Sequence, residues 1–457
     1  MKYKIFVALS FWIILLSVSC NRDDISFDSP LQLLRFSRDT VFCDTVYNLV
    51  RSETYAVKVY NNEDNDIMIP KISLAGGSSS LYRINVDGKA GTEFSNVPLR
   101  KKDSLYIFVE IAPLANAPEA IAEDQVVFES PAGNQHVTLF SVVQDAEFFI
   151  ESKTNPNIIN SSAWTNEKAK IIFGNLTLAE NQTLDIQAGT KVYFFKNSGM
   201  KISKNSKLNI NGSLNSEVIF RGDRNDPKYD TIPKNWNKIT FEEGSELKMN
   251  YGKIFGGTTG LDLYQSTATI DNSIIHTFQE YGIHAVNSKI TATNLVMNNC
   301  GEANLGIFKG GNITLLHSTL ANYWEFNSAL PALGIYATNE WKNADDQTEN
   351  AGLILNIRNS IVYGHAQDAI VLNPISGLTF NYDINYSLLK YSEKSTYNTT
   401  NSIIDKDPIF VNYYTEKMNL RVADDSPAKA KGIFVGAAAT DIVGIARTNP
   451  PTIGAYQ

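Results

Sequence analysis

Gly252-Lys253-Ile254, Asn272-Ser273-Ile274-Ile275, Asn294-Leu295-Val296, Ser318-Thr319-Leu320, Asn359-Ser360-Ile361-Val362 and Ser387-Leu388-Leu389 are variants of one phrase. Each sets a turn-forming or small residue ahead of an aliphatic stretch, and their first residues lie 20, 22, 24, 41 and 28 positions apart. A second phrase keeps step: Gly260-Leu261-Asp262-Leu263, Gly282-Ile283-His284-Ala285, Gly306-Ile307-Phe308, Gly334-Ile335-Tyr336-Ala337 and Ala369-Ile370-Val371-Leu372. Short alternating strands recurring at about 20–25 residues describe a coil of stacked rungs, each handing its unpaired backbone edge to the next. Like residues then stack along the axis, and an Asn at a bend can bond to its neighbours above and below. The expectation is an all-β chain in which Asn272, Asn294 and Asn359 line up along one shaft.

Outward from that stretch, the coil begins near Ile158. Thr183 to Phe194, Gly199 to Ser203, Ser206 to Ser213 and Val218 to Phe220 are its opening strands, with Gly189 and Gly212 at sharp turns that suit a residue free to take positive φ. Asp407-Pro408, Leu420-Arg421, Asp425-Ser426-Pro427-Ala428, Asp441 to Gly444, Arg447 and Ile453 to Gln457 close it. This succession resembles right-handed parallel β-helices of the pectate-lyase-like superfamily. The resemblance implies a β-helix over residues 148–457 with a C-terminal cap, and residues 150–175 and 420–457 are the candidate end covers. Bare ends would invite edge-to-edge aggregation.

Ahead of the coil, residues 31–147 change character. Leu31–Phe36, Tyr55–Tyr60, Ile67–Ile69, Tyr82–Val86, Ser104–Val109, Val126–Phe128 and Val137–Phe140 alternate with period two between Gly, Asn and Asp clusters. About seven such strands predict a β-sandwich. It resembles the immunoglobulin-like domains placed before other modules in exported bacterial proteins, where they serve as spacers.

The first residues read Met1-Lys2-Tyr3-Lys4, an apolar run from Ile5 to Leu16, then Ser17-Val18-Ser19-Cys20. Basic residues, a short apolar run and small residues describe a secretory signal; a membrane-spanning helix needs about 20 apolar residues. Ser19-Cys20 resembles a lipobox, which implies a signal peptide over 1–19, a lipidated Cys20 and a tether over 20–30. Asn21-Arg22-Asp23-Asp24 resembles the export signal of Gram-negative surface lipoproteins. The expected address is therefore the outer membrane, facing outward or, as the alternative, the periplasm. Asp39-Thr40-Val41, Asp44-Thr45-Val46, Asp103-Ser104-Leu105 and Asp230-Thr231-Ile232 match a short O-glycosylation pattern of some surface lipoproteins, which ordinary turn chemistry also explains.

The net charge is −8, and loss of Lys2 and Lys4 takes it to −10. That balance, without a basic stripe, argues against nucleic acid. Apart from Cys20, only Cys43 and Cys300 remain, in different expected domains, and they read as buried free thiols. The five histidines, His136, His276, His284, His317 and His365, show no metal spacing.

In the second phrase, alternation turns Leu261, Ile283, Ile307, Ile335 and Ile370 inward and Asp262, His284, Phe308, Tyr336 and Val371 outward. Asp262 and His284 on neighbouring rungs are the candidate catalytic pair, with Phe308 and Tyr336 as an aromatic platform for an extended glycan. An incidental surface stripe is the plainer alternative. Residues 323–350 form the longest departure from the repeat and add Tyr323, Trp324 and Trp341 as candidate ligand contacts, with Asp345, Asp346 and Glu349 close by; the equal alternative is that Trp324 and Trp341 only pack the loop onto the coil. Asp223, Asp226 and Asp230 are candidate Ca²⁺ acids that miss the twelve-residue EF-hand pattern, with plain solvated acids the favoured alternative, and no other cofactor is indicated.

Known enzymes of the resembled superfamily set a test. Pectate lyases carry clustered Ca²⁺-binding acids with an Arg or Lys base. Polygalacturonases carry an Asn-Thr-Asp segment with His-Gly and Arg-Ile-Lys segments. Pectin methylesterases carry paired acids with an outward Arg. None of these appears. The expectation is a lipid-anchored, non-catalytic β-helix binding a polysaccharide or an envelope protein; the alternative is a polysaccharide lyase or glycoside hydrolase working along the same face.

Overall fold

The computed structural model describes residues 26–43, 45–47, 51–112, 119–224, 227–326, 329–392 and 397–457. The expected signal peptide, Cys20 and Asp226 lie outside them. The chain divides into Met1–Val143 and Gln144–Gln457, four residues earlier than the sequence boundary at 147.

The first unit is two β-sheets around one core. Arg35–Phe36, Tyr55–Tyr60, Ser104–Ile111, Tyr82–Val86 and Lys89–Gly91 make a five-stranded antiparallel sheet. Thr40–Phe42, Gln135–Gln144, Glu119–Glu129, Ile67–Leu74 and Glu93–Leu99 make most of the other, with Val46–Tyr47 beside Gln135–Gln144. Alternate residues of both, among them Val57, Val59, Ile107, Val109, Ile69, Ile72, Phe128 and Leu139, meet in one buried cluster. Six of the seven segments read as strands are strands throughout, whereas of Leu31–Phe36 only Arg35–Phe36 is one. Glu93–Leu99 was not legible: Asn96 takes φ +52° and Pro98 interrupts it, and a strand with Pro is tolerated at a sheet edge, where this one lies.

The second unit is a parallel β-helix with three faces. The first runs through eleven strands from Ala146–Ile150 to Ile403–Ile404. The second runs from Ile158–Ile159 to Ile370–Asn373, and the third from Ser162–Trp164 to Thr399–Thr400. Tyr281–Thr293 and Ala303–Leu316 pass from second face to third without a break, joining those faces into one seventeen-stranded sheet. Inside, Leu176, Met200, Ile239, Leu261, Ile283, Leu305, Ile335 and Ile370 stack rung on rung, all buried.

The corner from third face to first explains the opening phrase. Tyr251, Asn272, Asn294, His317, Asn359, Tyr386 and Asn401 occupy it in seven successive coils, all left-handed with φ between 47° and 54°. Asn tolerates that conformation better than most residues, and its amide links rungs. Asn272 Nδ2 donates to Asn250 Oδ1 (3.0 Å), and Asn294 Nδ2 donates to Asn272 Oδ1 (2.9 Å). His317 holds the place before Asn359, whose Nδ2 lies 3.0 Å from His317 Nε2. The next residue is often Ser, and a second ladder follows: Gly252 N donates to Ser273 Oγ, Ser318 N to Ser360 Oγ, Ser360 N to Ser387 Oγ and Ser387 N to Ser402 Oγ. Gly189 has the expected positive φ of 78°. Gly212 does not; it is glycine because a Cβ there would sit 2.2 Å from the Tyr251 carbonyl oxygen.

The C-terminal segment lies along the outside of the first face rather than serving only as an end cover. Leu420, Ile442 and Ala455 pack on Val296, Ala321 and Tyr323, and Ala428 and Ile453 pack on Ile361 and Leu388. Val296–Cys300 and Thr319–Asn322 are consequently buried on both sides, with no polar alternation. Residues 150–175, expected as a cover, already contain strands of the coil.

Asp441 folds the last residues by accepting from Val443 N, Ile445 N and Gln457 N. The buried Arg447 Nη2 donates to Asn294 Oδ1 (2.7 Å) and to the carbonyls of Gly454 and Ala455. It thereby supplies the donor that His317 does not offer Asn294. Removing it strands a buried acceptor, at a cost of roughly 2–3 kcal/mol. Arg447→Ala should lower the unfolding free energy in urea by that amount, and an unchanged midpoint would show that the tail contributes little.

Candidate functional site

Asp262 and His284 do meet. They pair in register on the second face, and His284 Nδ1 lies 2.9 Å from Asp262 Oδ1. Lys238, which sequence reading passed over, donates its Nζ to Asp262 Oδ2 at 2.6 Å. Its signal was the alternation of Ile239 and Phe241, in phase with Leu261 and Leu263, which fixes Lys238 just before the strand. Burial alone would raise the Asp262 carboxyl. The hydrogen bonds from His284 and Lys238, with the lysine's charge, outweigh it and hold the group below the usual carboxylate range. A proton on His284 Nδ1 directed at this carboxylate leaves Nε2 as the ring's acceptor.

The aromatic stripe exists in a different register from the one expected. His284 pairs with Gly306, not Phe308, and Gly306 pairs with Tyr336; Phe308 pairs with Val286. The rung is displaced by two because Leu305, not Ile307, takes the inward place next to Ile283. Phe308 still reaches the stripe: its ring lies 4.9 Å from His284, 5.7 Å from Tyr281 and 5.6 Å from Tyr336, centre to centre. Gly306 makes this possible, since a Cβ there would fall 2.8 Å from the Tyr281 ring and 2.9 Å from that of Phe308. The four rings form one half-buried ledge.

Tyr281 was missed because its neighbour Gly282 masked the alternation. Its hydroxyl is pushed up to about 12, chiefly by burial and then by Glu302 and Glu280. Those acids stand at the corner before the ledge. Glu280 Oε2 accepts from Thr259 Oγ1 (3.0 Å), and burial with the charge of Glu280 raises the carboxyl of Glu302.

The departure at 323–350 is two excursions separated by a second-face strand, Leu333–Thr338. Tyr323 is buried and stacks on Tyr413 at 4.0 Å, against His365 and Phe410. Trp324 is also buried, with Phe326 beside it at 5.1 Å. Both rings pack the fold and offer little open surface. The second excursion is a hairpin, Glu340–Lys342 with Thr348–Asn350. Its Trp341 lies 5.7 Å from Tyr264, and Glu349 pairs with Lys309 on the neighbouring coil. Asp346 pairs with Lys342 at 2.9 Å. These acids fasten the hairpin.

Among the described residues no group of three or more His, Cys, Asp and Glu could hold a metal ion. Asp230 pairs with Arg221 at 2.7 Å. Cys43 and Cys300 are both buried, and burial pushes the Cys300 thiol up to about 12.

The chain matches no protein-family profile and no curated protein. Among solved structures it shows a likeness to the Escherichia coli chaperone DraB, at 12% identity over 25% of this chain and 57% of that one, with a TM-score of 0.19. A PapD-like domain of human CEP192 matches at 11% identity over 28% of this chain and 96% of that one, with a TM-score of 0.18. A family 123 glycoside hydrolase from Clostridium perfringens matches at 11% identity over 28% of this chain and 26% of that one, with a TM-score of 0.20.

Because the folded carboxyl of Asp262 is depressed, its contribution is complete above the unfolded value near 3.9 and fades as pH falls through the lower folded value. The stability difference between the native chain and Asp262→Asn should therefore be largest near neutrality and shrink below about pH 4. A difference that persists unchanged in acid would locate its origin elsewhere.

Proposed function

We propose that this protein is a non-catalytic glycan-binding lipoprotein of a bacterial outer membrane, holding an extended saccharide against the second face of its β-helix. The observation that carries the reading is the ledge of Tyr281, His284, Phe308 and Tyr336 around Gly306, with Asp262 fixed beside it. Apolar faces of sugar rings pack on aromatic rings. His284 Nε2 offers an acceptor for a sugar hydroxyl. Asp262 is already bonded to Lys238 and His284, which suits a group that orients its neighbours better than a free acid or base. The coil itself we assign to the pectate-lyase-like β-helices, on the repeat and the closing motifs. The first unit we assign to the immunoglobulin-like spacers, on its two-sheet core. Cys20 is the proposed lipid site, and the partner in this reading is a polysaccharide, with an envelope protein the other partner class.

A second reading, a glycoside hydrolase or lyase on the same face, is favoured by Glu302. A carboxyl held above its usual range beside another acid is the arrangement a general acid needs. An array of neutral and acidic polysaccharides, read for both retention and new reducing or unsaturated ends, separates the two. Retention without product, weakened about tenfold or more in Phe308→Ala, is expected. Product formation lost in Glu302→Gln or in Asp262→Ala with His284→Ala would establish the enzyme instead. No retention and no product on any saccharide would overturn both.

A further inference from the structure

On the first face, away from the ledge, a cleft of about 670 Å³ opens between three elements. Its floor is Lys253 and Phe255 on one rung and Ile274 and His276 on the next. One wall is the short helical turn Pro227–Thr231, which gives Lys228, Asp230 and Thr231. The other is the turn Thr415–Lys417 with Met418, part of the C-terminal segment. The volume is that of a small-molecule site.

Three lysines from three separate elements converge here in a chain whose net charge is −8. Two acids also line the cleft. Asp230 is paired with Arg221, whose guanidinium stacks over Phe255 at 5.4 Å. Glu416 stands exposed beside Lys417. Lys253 has a distant partner in Glu217, at 3.6 Å.

His276 is set with more care than a surface residue requires. Its ring stacks on Phe255 at 4.9 Å with 9° between the planes. Its Nδ1 lies 2.8 Å from Thr277 Oγ1, which itself accepts from Asn299 Nδ2 at 3.3 Å. When the Thr277 hydroxyl donates to Nδ1, the ring proton resides on Nε2 and can be donated into the cleft. Thr277 holds φ +61°, a conformation costly for a β-branched residue, where the corresponding turns of adjacent coils use Gly256 and Asn299. Burial and the charge of Lys253 hold the imidazole down to about 4, so it is neutral near pH 7.

We propose that this cleft binds a small ligand through an oxyanion group, a carboxylate, sulfate or phosphate, clamped by Lys228, Lys253 and Lys417 with a hydrogen bond from His276 Nε2. The volume of the cleft and the rings of Phe255 and His276 on its floor suit an oxyanion carried on a compact body such as a monosaccharide. This site is independent of the ledge, and either can fail without the other.

The test is calorimetric titration of the full chain with three probes: inorganic phosphate, inorganic sulfate and glucuronate. Saturable binding of at least one is expected, weakened by added salt and lowered about tenfold or more in Lys228→Ala with Lys417→Ala. Both lysines are exposed, so that variant should keep the native melting temperature. His276→Gln, which retains a donor, should bind more tightly than His276→Phe. Preference for glucuronate would assign a carboxylated sugar, and preference for phosphate or sulfate the corresponding esters. Absence of saturable binding to all three probes, or binding unaltered in the double lysine variant, would overturn the proposal.

Discussion

The second unit depends on one constraint: each coil must reverse direction at the same corner with a residue in the left-handed conformation. Strands on successive rungs can exchange backbone hydrogen bonds only if the corners superpose, and Tyr251, Asn272, Asn294, His317, Asn359, Tyr386 and Asn401 superpose them. For most residues that conformation costs of order 1 kcal/mol. Asn carries the cost lightly and adds an amide that joins the rung above to the rung below. The Ser ladder one residue later repeats the device with a hydroxyl. Faces, registers and every outward column follow from that alignment.

Among the described residues, the first and second faces of the coil differ in what packs on them from outside. Along the first face the C-terminal segment buries Val296, Ala321, Ile361 and Leu388 from outside. Among the described residues, the outward side chains of the second face from Lys238 to Tyr336 stay partly exposed, so they answer to solvent and to each other. There Asp262 draws in Lys238 and His284, and Gly306 leaves a gap that two rings fill. The cleft on the first face forms where the covering segment and the turn Pro227–Thr231 meet beside Phe255 and His276.

Much of this was legible beforehand, and the reasons are physical. Period-two alternation reports burial directly, so the inward residues and the adjacency of Asp262 and His284 could be read from spacing. What alternation cannot report is register at a rung where two phrases overlap. Gly306-Ile307 looks like Gly282-Ile283, yet Leu305 takes the inward place and slides the rung by two. Tyr323 and Trp324 looked like loop aromatics because the segment that buries Tyr323 lies some ninety residues later. Lys238 and Glu302 escaped notice because their roles come from neighbours one coil away, at separations set by intervening loops.

The fastening of the last residues has a consequence for how the rod comes apart. A stack in which each rung touches only its neighbours melts piecemeal, like beads leaving a string, with the ends loosening first. Here Arg447 grips the rung of Asn294, while the amide of Gly454 donates to the Asn359 carbonyl further along. One strap thus spans several layers, so none of those layers can open without peeling it away. The middle of the coil is thereby made to yield as a block rather than layer by layer.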